Sequence, residues 1–156
     1  MLFRSGSEVS FTSLYNQTSH FFTKAGGVVA SSFRLGWNQP YGGDKELPIS
    51  ERYFAGGSTT LRGFRLDEAG PPGGGQLLTI GNVEYRKPLN FLPISNVRGA
   101  LFYDTGTVFE RPSDFSFREF THTTGVGIRY QTPLGPVRFD MGVDLDRKST
   151  RLNSSH

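Results

Sequence analysis

The chain has 156 residues, enough for one domain, and its 20 glycines and 14 phenylalanines stand out against a composition that is only 35% hydrophobic and 20% charged. Glycine at this level disfavours a helical protein, and the net charge of +3 comes from lysines and arginines scattered singly, which speaks against nucleic acid as a partner. No cysteine is present, so disulfide scaffolds, thiolate metal sites and cysteine nucleophiles are excluded. No apolar run approaches the roughly 18 residues of a spanning helix, so any contact with a membrane falls to strands.

Met1–Gly6 lacks the charged and apolar regions of a secretory signal. Two strands are expected next, one near Glu8–Gln17 with Val9, Phe11 and Tyr15 in phase, the other near Gly27–Trp37 with Val29, Phe33, Leu35 and Trp37 in phase. A third sets Leu77, Val83 and Tyr85 against Gln76, Asn82, Glu84 and Arg86. A fourth sets Val97, Leu101 and Tyr103 against Arg98 and Asp104. Leu78, Ile80 and Phe102 break these patterns by falling on the polar side. The last two strands are the cleanest, with Thr124, Val126, Ile128 and Tyr130 in one and Val137, Phe139, Met141, Val143 and Leu145 in the other. Thr132–Pro136 makes a tight turn between them.

Six strands of about 9–12 residues suit a tilted transmembrane strand better than a soluble sandwich, whose strands more often run to about five or six. Tyr15, Trp37, Tyr85, Tyr103 and Tyr130 are expected to form interfacial girdles. The charged face then lines a polar lumen. Short or proline-rich connections at Thr132–Pro136 and Pro88–Asn96 alternate with a longer loop at Phe109–Arg118 and a very long one at 38–75, as in outer-membrane barrels with short periplasmic turns.

A connection as long as 38–75 is usually functional or disordered, and its centre, Phe54-Ala55-Gly56-Gly57-Ser58-Thr59-Thr60-Leu61-Arg62-Gly63-Phe64, mixes apolar anchors with glycines in the manner of a loop folded back on something. Inside a barrel Arg62 needs acidic partners, and Glu84 and Asp104 fall on the lumen phase of their strands. The histidines at 20, 122 and 156 have no metal-ligand spacing, no Gly-x-Ser-x-Gly elbow occurs, and Gly73-Gly74-Gly75 lacks the Lys-Ser/Thr of a phosphate loop. No metal, no cofactor and no catalytic residue are therefore expected. Arg138, Asp140 and Asp144 read as a charged ladder lining the barrel.

Ser50–Phe64, followed by Asn82-Val83-Glu84-Tyr85-Arg86, Phe102-Tyr103-Asp104-Thr105-Gly106-Thr107-Val108 and Gly125-Val126-Gly127-Ile128-Arg129, closely resembles the C-terminal barrel of the BamA/TamA-type outer-membrane assembly family, also called the bacterial surface antigen family. The resemblance spans Glu8–Leu145. It implies an all-β fold: the C-terminal part, about six strands, of a sixteen-stranded antiparallel transmembrane barrel, preceded by soluble POTRA domains. It also implies that the long loop folds into the lumen, with Arg62, Gly63 and Phe64 as its motif, Phe54, Gly56 and Gly57 beside it, and Glu84 and Asp104 as acidic partners. The role so implied is insertion or translocation of other β-rich proteins, without enzyme activity. The partners implied are the bacterial outer-membrane bilayer, client β-barrel or secreted proteins, and accessory assembly proteins.

The family's barrel ends on a further aromatic-terminated strand, absent here. Residues 1–145 are thus expected to be a partial barrel and 146–156 a polar, non-native tail. Two alternatives share much of this pattern: a translocator barrel with a fused patatin-like hydrolase, distinguished by a Gly-x-Ser-x-Gly domain upstream, and a small passive porin or adhesion barrel of eight strands.

Overall fold

The computed structural model describes residues 9–41, 46–90 and 96–145 in full, and residues 149–155 as backbone. The expected strand start at Glu8, the centre of the Pro88–Asn96 connection and the side chains of the 146–156 tail lie outside the described residues.

Seven strands form one sheet in chain order, each antiparallel to the next. They are β1 (Ser10–Lys24), β2 (Gly27–Tyr41), β3 (Leu77–Pro88), β4 (Val97–Phe109), β5 (Thr121–Thr132), β6 (Gly135–Asp144) and β7 (Ser149–Ser155). β1 and β2 are 15 residues each, so several strands outrun the expected 9–12. The β1–β2 hairpin turns on Ala25 and Gly26, both at positive φ (52° and 73°), the backbone that a tight right-twisting hairpin demands. Pro133 and Leu134 turn the β5–β6 hairpin, where the Thr132 hydroxyl donates to the Gly135 carbonyl at 2.6 Å.

Alternation divides the sheet into two unlike faces. Phe33, Val83, Leu101, Val126, Ile128, Phe139 and Met141 stand on one of them, each 44–59% exposed. So much contiguous apolar surface is out of place in water and belongs against lipid. The other face is polar, and the 46–76 segment folds down onto it. Ala55, Leu61, Phe64 and Ala69 from that segment pack with Leu78, Ile80 and Val108 of the sheet into the hydrophobic core, with Tyr53 at its edge. The residues that interrupt the alternation of β3 are therefore the ground on which the loop sits.

Three expectations change. The register of β1 sets Tyr15 opposite Gly36 and Gln17 opposite Arg34, which puts Tyr15 on the polar face, not in a girdle; its ring stacks on Tyr53 of the loop, centroids 6.4 Å apart. Both faces of this strand carry aromatics, so its periodicity gave no phase. Tyr103 is on the apolar face but in mid-strand, stacked on His122, whereas Tyr85 and Tyr130 do stand near the short-turn end. Finally, Ser149–Ser155 forms a seventh strand, paired with β6 from Asp144↔Ser149 to Arg138↔Ser155. Ladder bonds use only backbone groups, so the unpaired edge of β6 can hold a segment whose side chains show no apolar pattern.

Candidate functional site: a loop clamped to the polar face

The loop is closed by its own backbone before it meets the sheet. Tyr53 and Gly75 exchange N–H···O bonds of 2.8 and 2.9 Å, the Ala69 N–H donates to the Ala55 carbonyl, and the Gly57 N–H donates to the Phe64 carbonyl. Gly56 and Gly57 take φ of 121° and 87°, a region that side chains rarely tolerate. The Thr60 hydroxyl accepts from the Gly56 N–H at 2.8 Å and donates to the Gly56 carbonyl at 2.7 Å, fixing that bend. Phe64 is buried in the core, while Phe54 is half-buried with its ring over Gly74, where a Cβ would meet it at 2.7 Å.

These constraints lower Arg62 onto β3 and β4. Its guanidinium grips Asp104 with two parallel bonds, Nε to Oδ2 at 2.8 Å and Nη2 to Oδ1 at 2.7 Å, and its remaining nitrogen, Nη1, donates to Glu84 Oε2. The Arg62 backbone N–H adds a bond of 3.2 Å to Asp104 Oδ2. Beneath the guanidinium lies Phe102, whose ring centroid is 3.6 Å from Cζ. Phe102 can lie flat because its neighbour across the sheet is Gly125, where a Cβ would come within 2.5 Å of the ring. Burial by itself pulls the Arg62 pKa down; the hydrogen bonds and charge of Asp104, then of Glu84, outweigh it and raise the pKa above its usual value. Arg62 therefore keeps its charge against both carboxylates.

The backbone around Arg62 sits as tightly as its side chain. A Cβ on Gly63 would approach Thr123 Cγ2 to 2.5 Å, and one on Gly142 would approach the Arg62 carbonyl oxygen to 2.7 Å. Gly125 and Gly142 are paired across β5 and β6, so the loop rests in a trough without side chains.

The carboxylates have further partners. Glu84 also accepts from Arg86 Nε at 2.6 Å and from Arg129 Nη2 at 2.9 Å, and Arg129 Nη1 donates to Asp140 Oδ1 at 2.6 Å. Arg138 Nη2 lies 3.1 Å from Asp140 Oδ2, an ion pair outside hydrogen-bond alignment, and also donates to the Ser58 carbonyl. Asn82 donates from Nδ2 to Asp104 Oδ1 at 2.9 Å and to the Thr60 carbonyl at 2.7 Å, while Arg34 donates to the Thr59 carbonyl and to Asn82 Oδ1. Loop residues 58–62 are thus held by side chains from β2, β3, β4 and β6.

The structure brings together Arg62, Glu84 and Asp104, as the polar phase of β3 and β4 suggests, while Gly63 lies against Thr123 and Phe64 packs in the hydrophobic core. Phe54 is set apart from it, and Gly56 and Gly57 act through the bend. Sequence reasoning did not assign Phe102, Asn82, Arg34, Arg129, Gly125 or Gly142 to the site. All six share the polar phase with Glu84 and Asp104, a signal that could have found the four side chains but not the two glycines. Among the described residues no group of His, Asp or Glu is arranged to hold a metal ion.

A long-stranded antiparallel sheet, apolar on one face and polar on the other, is the wall of a transmembrane β-barrel. Residues 2–154 match the Omp85 superfamily domain, and the chain belongs to that superfamily. It is 27% identical over 139 residues, 84% of its length, to "Outer membrane protein assembly factor BamA" of Nitratidesulfovibrio vulgaris. It is 35% identical over 80 residues, 48% of its length, to the human "Sorting and assembly machinery component 50 homolog". The crystal structure of BamA from Haemophilus ducreyi lacking POTRA domains 1-3 superposes with a TM-score of 0.78 over 97% of the chain at 22% identity, which establishes the shared barrel fold. The chain spans 16% and 17% of those two curated relatives and 35% of the solved chain.

Proposed function

We propose that this segment belongs to the barrel of an outer-membrane assembly factor that inserts or translocates client β-barrel or secreted proteins, working with the bilayer and with accessory assembly proteins. In this reading the polar face is the barrel lumen, and the Arg62-Gly63-Phe64 loop is a structural clamp with no bond-breaking role. The single observation that carries it is the buried ion pair of Arg62 with Asp104 and Glu84, which ties a loop of more than 30 residues to two adjacent strands. Such a contact costs ordering entropy and desolvation, and a machine whose barrel must withstand insertion of its clients gains from it a fixed interior strut.

The test is client insertion by the full-length protein in reconstituted vesicles, with Arg62→Ala compared against Arg65→Ala, an exposed arginine three residues along the same loop. Loss of insertion by Arg62→Ala alone supports the reading. Equal insertion by both variants, together with unchanged heat-modifiability on gels, rules the clamp out as a working part.

A further inference from the structure

The connection between β4 and β5 carries five charged residues, yet its phenylalanines gather into one cluster. Phe115 lies 5.4 Å from Phe109 and 4.8 Å from Phe117, centroid to centroid, and Phe120 lies 5.6 Å from Phe117 and 6.2 Å from Phe109. Phe109 roots the cluster. It ends β4 opposite Leu77, one residue beyond the inward-packed Val108, so it stands on the apolar face, where Phe115 and Phe120 cover it to 2% exposure. The outer members stay bare, Phe115 at 42% and Phe117 at 77%. A phenyl ring has no polar handle to satisfy in water, so two exposed rings at the head of a lipid-facing sheet need a cover.

The position of the cluster says what that cover is. On β3, Tyr85 and Leu77 lie eight positions apart, about 26 Å along a strand at roughly 3.3 Å per residue. At a tilt of about 40° that is about 20 Å of height, close to the roughly 25 Å apolar band of an outer-membrane barrel. Tyr85 and Tyr130 mark the short-turn rim of that band, and Trp37, Leu77 and Phe109 mark the opposite rim. The Phe115–Phe117–Phe120 group continues the second rim without a break.

The loop backbone is suited to an interface because it satisfies itself. Two single 3-10 turns, Pro112–Asp114 and Phe117–Glu119, are closed by the Asp114 N–H to the Arg111 carbonyl (3.1 Å) and the Glu119 N–H to the Ser116 carbonyl (3.2 Å). The Arg118 N–H donates to Ser116 Oγ at 3.3 Å. Glu110, Arg111, Asp114, Arg118 and Glu119 surround the rings with charges of both signs, which belong at the hydrated headgroup level while the rings go below it.

We infer that the Phe115–Phe117–Phe120 cluster is a membrane anchor, inserted at the headgroup and acyl-chain boundary of the leaflet on the long-loop side, fixing the height and tilt of β4 and β5 in the bilayer. The inference rests on the apolar face being the lipid face. This segment has no cysteine, so in the full-length protein, with any cysteine outside the segment replaced by serine, Phe117→Cys, Ser113→Cys and Val126→Cys each accept one environment-sensitive fluorophore after folding into phospholipid vesicles. Val126 is mid-strand on the apolar face and Ser113 is an exposed polar residue of the same loop. Shallow spin-labelled phospholipids should quench the 117 probe several-fold more than the 113 probe, and aqueous iodide should do the reverse. A 117 probe quenched by iodide as strongly as the 113 probe, with the 126 probe still quenched by lipid, overturns the anchor and leaves the barrel intact. A 117 probe shielded from both quenchers overturns it in favour of a protein cover. If lipid reaches neither 117 nor 126, the lipid-facing reading fails and the anchor with it.

Discussion

Arg62→Ala should destabilise the barrel chiefly through Asp104, and the asymmetry between the two carboxylates makes that testable. Asp104 is completely buried and, among the described residues, keeps the Arg62 backbone N–H and Asn82 once the guanidinium is gone. Glu84 keeps both Arg86 and Arg129. Removing one partner of a buried pair typically costs about 3–5 kcal/mol, because a charge is left uncompensated in a poorly solvated site. A domain of 150–250 residues would lose about 6–20 °C of unfolding midpoint for that cost, and the larger full barrel should lose less, in the lower part of that range or below it. Neutralising the stranded charge should recover much of the loss, so Asp104→Asn in the Arg62→Ala background should raise the midpoint. Glu84→Gln should not, since it removes a carboxylate that two arginines still need. The assay is thermal unfolding of the detergent-solubilised full-length protein, followed by its mobility shift on gels, for the single and double variants. If Arg62→Ala melts with the wild type, or if Glu84→Gln rescues as well as Asp104→Asn, the clamp does not work as described.

Gly142→Ala and Gly63→Ala should each lower the unfolding midpoint, because their methyls would enter the Arg62 carbonyl and Thr123 respectively. Gly81→Ala, whose Cβ would meet Thr105 Cγ2 at 3.4 Å, should be nearly silent in the same melt. Phe102→Leu removes the ring under the guanidinium and should cost about 1–2 kcal/mol beyond lost packing, measured by comparing it in wild-type and Arg62→Met backgrounds. Val126→Arg, on the apolar face, should reduce folding into vesicles by about 2–4 kcal/mol if the site is near the bilayer midplane, read from urea titration of the folded fraction.

How much of this was legible in the sequence depends on the period of two. Where one face is apolar and the other charged, as in β5 and β6, alternation identifies strand, phase and turn together. β3 and β4 gave the strands but left Leu78, Ile80 and Phe102 as misfits. They are misfits only to a rule that assumes the polar face meets water; under the loop, Leu78 and Ile80 are core and Phe102 is the platform for Arg62. β1 misled because Phe11, Tyr15 and Phe21 share its polar phase, where Tyr15 finds Tyr53 from a loop some forty residues away. The phenylalanine cluster between β4 and β5 was hidden because five residues of charge surround it and no period governs a loop. For the clamp, spacing could supply the acids but not the glycine trough, since the role of Gly125 and Gly142 is visible only once the loop lies across them.

The loop is held by two kinds of contact that do different work. Leu61, Phe64, Ala55 and Ala69 against Leu78, Ile80 and Val108 provide burial, but apolar contact is non-directional and tolerates sliding. The fork of Arg62 on Asp104, with its third nitrogen on Glu84, is satisfied in one register only. Replacing the pair with apolar residues, Arg62→Met with Asp104→Leu, should therefore separate the two contributions. Such swaps of buried ion pairs are often neutral or stabilising by about 1–4 kcal/mol, so the melting midpoint should hold or rise, while the loop loses its unique position and client insertion falls. Insertion at the wild-type rate in a stable double variant would mean that burial alone positions the loop, and the arginine would then be a matter of stability only.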